Sequence, residues 1–182
     1  MIGRLPKTLE VGGIEYEINA DFRVALLIFE ALEDKDLNDF EKCVVTVQCL
    51  FKEIPADFGE AVKKAYWFLD GGDIPKSKQQ NQKVLDWVQD ESIIFPALNK
   101  VAGYETREVE YLHWWAFLGL FNEVGEGLFS TIMNIRNKKA KHKKLEKHEQ
   151  EFYVQNRELI DLKHKYSAEQ QAEIDKINKL LG

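Results

Sequence analysis

The chain opens with an alternation of period two. In KTLEVGGIEYEI, Leu9 and Val11, then Ile14, Tyr16 and Ile18, are separated by polar residues, and Gly12-Gly13 stands between the two runs. A Gly-Gly pair supplies the positive φ angles of a tight turn, so the pattern predicts two short antiparallel strands. A lone hairpin is marginal in water and needs helices to lie on. From Asp21 the period becomes helical, with Phe22, Ala25, Leu26, Phe29 and Leu32 on one face. Asn38 followed by Glu41 has the form of a capping box, opening a helix through Cys43, Val44, Val47, Leu50 and Phe51. Pro55 and Asp57 start the next, which carries Ala61, Ala65, Phe68 and Leu69 to a stop at Gly71-Gly72.

The pattern then lapses. DIPKSKQQNQK, residues 73–83, holds one proline, three lysines, four amide side chains and one large apolar residue. Such a stretch buries too little surface to offset its ordering entropy, which predicts a mobile loop. Asp86 is placed to cap a helix containing Trp87, Ile93, Ile94, Phe95, Leu98 and Val101, and Pro96 inside that run predicts a kink or a split. Thr106 is the expected start of a helix bearing YLHWWAFLGLF, residues 111–121. Gly125 and Gly127 interrupt the chain, and Leu128, Ile132 and Ile135 lead into a lysine-rich segment.

The last third differs in kind. Leu145, Phe152, Leu159 and Tyr166 recur every seven residues, with Leu162 nearby, as one apolar seam on a long charged helix. Ser167 to Gln170 reads as another capping box, before Ile174, Ile177, Leu180 and Leu181. The pattern therefore predicts a mainly α protein: a compact helical bundle with a short N-terminal β-hairpin (1–135) and a long C-terminal helical extension (136–182). The seam needs a cover, with three candidates: the chain's own body, a second copy of the tail or a helix of another protein. A separate helix suits it best, so residues 145–166 are expected to make an inter-chain helical contact. Leu145, Phe152, Leu159, Leu162 and Tyr166 are the partner-binding candidates.

Charge sharpens this division. The net charge is −6, which argues against nucleic acid or an anionic membrane as the main partner. From Arg136 onward there are twelve Lys/Arg against eight Asp/Glu, and before it thirteen against twenty-three. The basic stretch RNKKAKHKKLEKH, residues 136–148, lacks the interleaved aromatics of a nucleic-acid grip. Cys43 and Cys49, six apart in a helical run, point to different faces, which fits buried thiols in a reducing compartment. The N-terminus has no apolar signal core, and the longest apolar run falls short of the roughly twenty residues a membrane span needs.

Candidate chemistry is sparse. His113 is the strongly polar side chain of an otherwise apolar stretch, but no cysteine stands near it in sequence and its apolar neighbours cannot ligate a metal. It reads as a buried histidine bonded to a carbonyl or carboxylate, with Tyr111, Trp114 and Trp115 as core or groove residues. His142, His148 and His164 stand among lysines at spacings that do not stack on one helical face. There is no phosphate-binding glycine loop, nucleophile elbow or zinc-finger spacing, so neither an enzyme nor a bound cofactor or metal is expected.

Several blocks carry a resemblance. LPKTLEVGGIEYEINADFRVALLIFEALED, IPADFGEAVKKAYWFLDGG, KVLDWVQDESIIFPAL, YLHWWAFLGLF and LFSTIMNIRNKK stand in that order over about the first 140 residues. Together they resemble the small tail proteins that siphophages of Gram-positive bacteria encode between the major tail protein and the tape measure protein. The resemblance implies a helical tail assembly chaperone in the host cytoplasm, absent from the finished virion, which coats the tape measure protein and helps recruit tail tube subunits. It implies no catalytic residues. Two other roles compete: a tail component retained in the particle, and a nucleic-acid-binding regulator acting through the basic stretch.

Overall fold

The computed structural model describes residues 3–72 and 83–181, which form nine helices and one β-hairpin. The stretch 73–83, expected as a mobile loop, lies outside the described residues except for Lys83. The chain divides into two compact units: Met1–Leu69 with His164–Gly182, and Asp70–Lys163.

In the first unit, Gly12 and Gly13 take φ of 61° and 78° and turn β1 (Thr8–Val11) into β2 (Ile14–Glu17). The strands pair antiparallel, with Leu9 opposite Tyr16 and Val11 opposite Ile14. Three helices follow: α1 (Phe22–Glu33), α2 (Asp39–Leu50) and α3 (Phe58–Leu69). Their starts are where the sequence put them. Asp21 accepts from the Arg23 N–H, Asn38 and Glu41 form a reciprocal capping box, and the Asp57 carboxylate accepts from the Glu60 N–H at 2.9 Å. α2 packs on α1 and α3, and α3 packs on β1.

The hairpin is pinned by more than its buried Leu9 and Val11. Ile18 bridges Phe51, the Asn19 N–H donates to the Leu50 carbonyl at 2.7 Å, and the Gly12 N–H donates to the Glu60 carboxylate at 2.9 Å. Phe22, Ile28, Leu50 and Phe68 are fully buried within this unit. Each such side chain contributes about 1.5–3 kcal/mol relative to exposure. On α1 the buried set is Phe22, Ala25 and Ile28, while Leu26, Phe29 and Leu32 are half-buried. The face is thus rotated toward Ile28 from the expected stripe.

The second unit departs further from the sequence reading. Asp86 caps no long helix; its carboxylate closes a turn, accepting from the N–H groups of Val88 and Gln89 at 3.1 and 2.9 Å. α4 begins only at Glu91 and runs to Ala102, unbroken through Pro96, whose ring faces solvent. Thr106 starts no helix either. It is buried in a loop, with its N–H and hydroxyl both donating to Asn99 Oδ1 at 2.8 Å. α5 spans Trp114–Asn122 and α6 Leu128–Ala140.

The C-terminal segment is helical, but as three helices rather than one long one. α7 (Lys147–Gln155) and the single-turn α8 (Arg157–Ile160) meet at Asn156, whose φ of −121° and ψ of 28° break the helical path. Asn156 Nδ2 donates to the Phe152 carbonyl at 2.9 Å, the backbone competition that makes asparagine a poor interior helix residue. No regular element spans 161–167, and α9 (Ala168–Leu181) then starts from the reciprocal Ser167–Gln170 box. Residues 136–163 belong to the second compact unit, and α9 to the first. Among the described residues, no helix is long and apolar enough to cross a membrane.

Candidate partner-binding surface

The aromatic stretch is a core for part of its length. Trp114 and Phe117 are buried and stack at 5.5 Å, Trp87 lies 5.2 Å from Phe121, and Phe121 lies 5.5 Å from Phe129. Such offset and edge-on contacts add about 0.5–1.5 kcal/mol each beyond the area they bury. Tyr111 precedes the helix and is half-exposed, and Trp115 is half-buried, edge-on to His113 at 6.2 Å. Trp114 is therefore a core side chain, and Tyr111 lies at the surface.

His113 is buried, and one of its ring nitrogens has a local role. Its Nδ1 accepts the Trp115 N–H at 3.0 Å, so the ring is the N-cap of α5. A nitrogen used to satisfy one of the orphan donors at a helix start has no lone pair left for a metal. Among the described residues, no group of three or more His, Cys, Asp or Glu side chains is placed to hold a metal ion.

The residue that the sequence reading misplaced is Arg136. It is 5% exposed, facing an Asp90 carboxylate that is fully buried. Nη1 and Nη2 donate to the two Asp90 oxygens at 2.5 and 2.8 Å. The remaining three N–H groups reach the carbonyls of Val84 (3.0 Å), Leu159 (3.0 Å) and Ile160 (2.6 Å). All five donors of the guanidinium are engaged, in the planar fork that only arginine offers. One side chain therefore ties together the turn before α4, the helix α6 and the turn α8. Its place at the head of a lysine run disguised it as surface.

Two further contacts hold α7 and α8. Glu149, 5% exposed, accepts from Lys138 at 2.5 Å and from Asn134 at 2.9 Å. The Lys138 hydrogen bond, then that of the Glu146 N–H, hold the Glu149 carboxyl below its ordinary range. Asp161 gathers Lys139, Tyr153 and Arg157; burial works against its charge, but these donors outweigh it and its pKa is lowered.

The five seam residues do not form one stripe. Leu145, Phe152, Leu159 and Leu162 are half-buried in the second unit, whereas Tyr166 belongs to the first unit, its ring tilted against His164 at 4.5 Å. The structure brings Leu159 and Leu162 together, in a shallow concavity of about 810 Å³ ringed by Arg157, Glu158, Asp161 and Lys163.

A better-formed concavity went unnoticed in the sequence. α4 and the link from α5 to α6 enclose a groove of about 460 Å³. Its apolar lining includes Ile93, Val101, Val124, Leu128 and Phe129, and Glu123 and Glu126 stand at its edge. The signal was there in Gly125, Gly127 and half-exposed Leu128, read only as a break in the chain.

The family model described as Bacteriophage Gp15 protein matches residues 1–167. The chain belongs to that family. The match covers the hairpin and α1 to α8 and ends one residue before α9. The Arg136 network and the α7–α8 segment therefore lie inside the length that the Gp15 family shares, rather than in an appended tail. No curated protein matches the chain, and no solved structure matches it.

Proposed function

We propose that this phage protein is a non-enzymatic tail assembly factor, a chaperone that binds the tape measure protein in the host cytoplasm and helps recruit tail tube subunits. The observation that carries the reading is membership of a phage protein family over residues 1–167, taken with the resemblance of the HWW and DWVQDESIIF blocks to siphophage tail proteins. Function belongs to sites rather than folds, so the surfaces matter. The second unit offers two concavities as candidate client sites.

The test is compositional. Co-expressed with the tape measure protein, the chain should co-purify with it, and mass spectrometry of finished virions should not recover the chain at a structural stoichiometry. Recovery at a fixed copy number per virion would make it a tail component instead. The residues proposed from the seam are best probed by Leu162→Asp. A point substitution is preferable to a truncation after Asn137, which removes the Leu159 and Ile160 carbonyls that Arg136 binds.

A further inference from the structure

In the groove beside α4, exposed apolar surface, negative charge and room for a second backbone coincide. Val101 and Leu128 keep 37% and 50% of their surface exposed. Glu123 and Glu126 add two exposed carboxylates. Lys100, the one cation among the described lining residues, has its ammonium 3.5 Å from the Glu126 carbonyl. Pro96 has no N–H, so the Ser92 carbonyl on the same surface lacks its usual intrahelical donor. The groove therefore presents acceptors and negative charge around an apolar floor.

The link that forms one wall carries a second sign. A Cβ placed on Gly125 or Gly127 would meet no atom within 4 Å. Gly127 has a φ of 162°, an extended conformation open to any residue, and Gly125 is not among the positive-φ glycines. Among the described residues, neither glycine is required by packing or by backbone conformation. What a bare backbone does permit is close approach by another one.

We propose that this groove docks an amphipathic, positively charged helix of another protein. Apolar side chains at i and i+3 or i+4 would lie on Ile93, Val101 and Leu128, with lysines or arginines beside them facing Glu123 and Glu126. Charge decides the occupant. A second copy of a chain with net charge −6 is repelled where a basic helix is drawn in. The inference rests on the chaperone reading only for the client's name, a tape measure segment; the chemistry of the site stands without it.

The probe is an 18-residue model helix of leucine, alanine and lysine, leucines on one face and lysines along its flanks, beside a twin with glutamate for lysine. Fluorescence anisotropy gives affinity for the full-length protein, and amide chemical shifts give the location. The lysine peptide should bind and shift residues 92–101 and 123–129, and the glutamate twin should not. Leu128→Asp should weaken binding at least tenfold, and Glu123→Lys with Glu126→Lys should reverse the preference between the twins. Gly125→Leu should obstruct binding while leaving the melting temperature unchanged, which separates a blocked groove from a damaged fold. Shifts that map elsewhere, or affinities that ignore these substitutions, would overturn the proposal. So would concentration-dependent groove shifts without peptide, which would assign the groove to a second copy. Virion composition does not enter this test, so the chaperone reading and the groove can fail separately.

Discussion

The starts of α1 to α3 in one compact unit and the anchoring of α6 in the other are set by bonds of different reach. In the unit built on the hairpin and α1 to α3, helix starts are fixed by side chains two or three residues away, and buried Phe22, Leu50 and Phe68 supply the cohesion. In the unit of 70–163, helix α6 is fastened by a buried guanidinium reaching 46 and 52 residues back to Asp90 and Val84, and 24 residues forward to Ile160. Local bonds can be read from a short window of sequence. A bond across half a unit cannot, because nothing near Arg136 names its partner.

The largest break in this comparison comes from Arg136→Met. It leaves the Asp90 carboxylate buried without its partner and should destabilise the second unit by about 3–5 kcal/mol, read from denaturant unfolding. Arg136→Lys should recover little of this, since one ammonium cannot serve five acceptors in a plane. A loss within 1 kcal/mol for the methionine variant would mean that the network is dispensable.

In the first unit, Leu50→Ala should cost about 3 kcal/mol through lost burial and the cavity left behind. The loss should appear on melting the hairpin and α1 to α3 while the Arg136 amide environment stays native by NMR. A local bond is weaker: Asn38→Ala removes the acceptor for the Phe40 and Glu41 N–H groups and should cost about 1 kcal/mol. A cost equal to that of Arg136→Met would erase the distinction between the units.

The smallest effect is set by acid. The Glu149 pKa lies below its ordinary value of 4.5 because Lys138 donates to the folded carboxylate. A lowered folded value means that the unfolded chain takes up the proton first as pH falls. The stabilisation is therefore complete above pH 4.5 and is lost as the pH drops through the folded value. Amide exchange in α7 should accelerate over that range in the wild type, and Glu149→Gln should remove the pH dependence.

Against this background, what was legible becomes understandable. The Gly12-Gly13 turn, the Asn38–Glu41 and Ser167–Gln170 boxes and the burial of Phe68 and Trp114 follow from local rules, and they stand in the structure. The heptad of Leu145, Phe152, Leu159 and Tyr166 misled because spacing assumes an unbroken helix, and Asn156 ends it. His113 was recognised as buried, but its cap role depends on where α5 begins, which apolar residues on both sides conceal. The groove escaped because its walls come from segments about 30 residues apart in sequence, with glycines that carry no apolar signal.

The internal pairing of Arg136, Lys138 and Lys139 also alters how the chain behaves as a polyelectrolyte. These three cations face Asp90, Glu149 and Asp161 at 2.5 Å each. Affinity for a phosphate backbone grows with the number of cations that can displace its condensed counterions, about 0.9 in salt slope for each contact on duplex DNA. A folded chain cannot present these three without giving up its own fastenings. The excess of positive letters after residue 135 is therefore larger than the excess of positive charge that a polyanion meets. On an ion exchanger at neutral pH the folded chain should run as an acid, and denaturation should release part of the basic run to cation-exchange and heparin-like matrices.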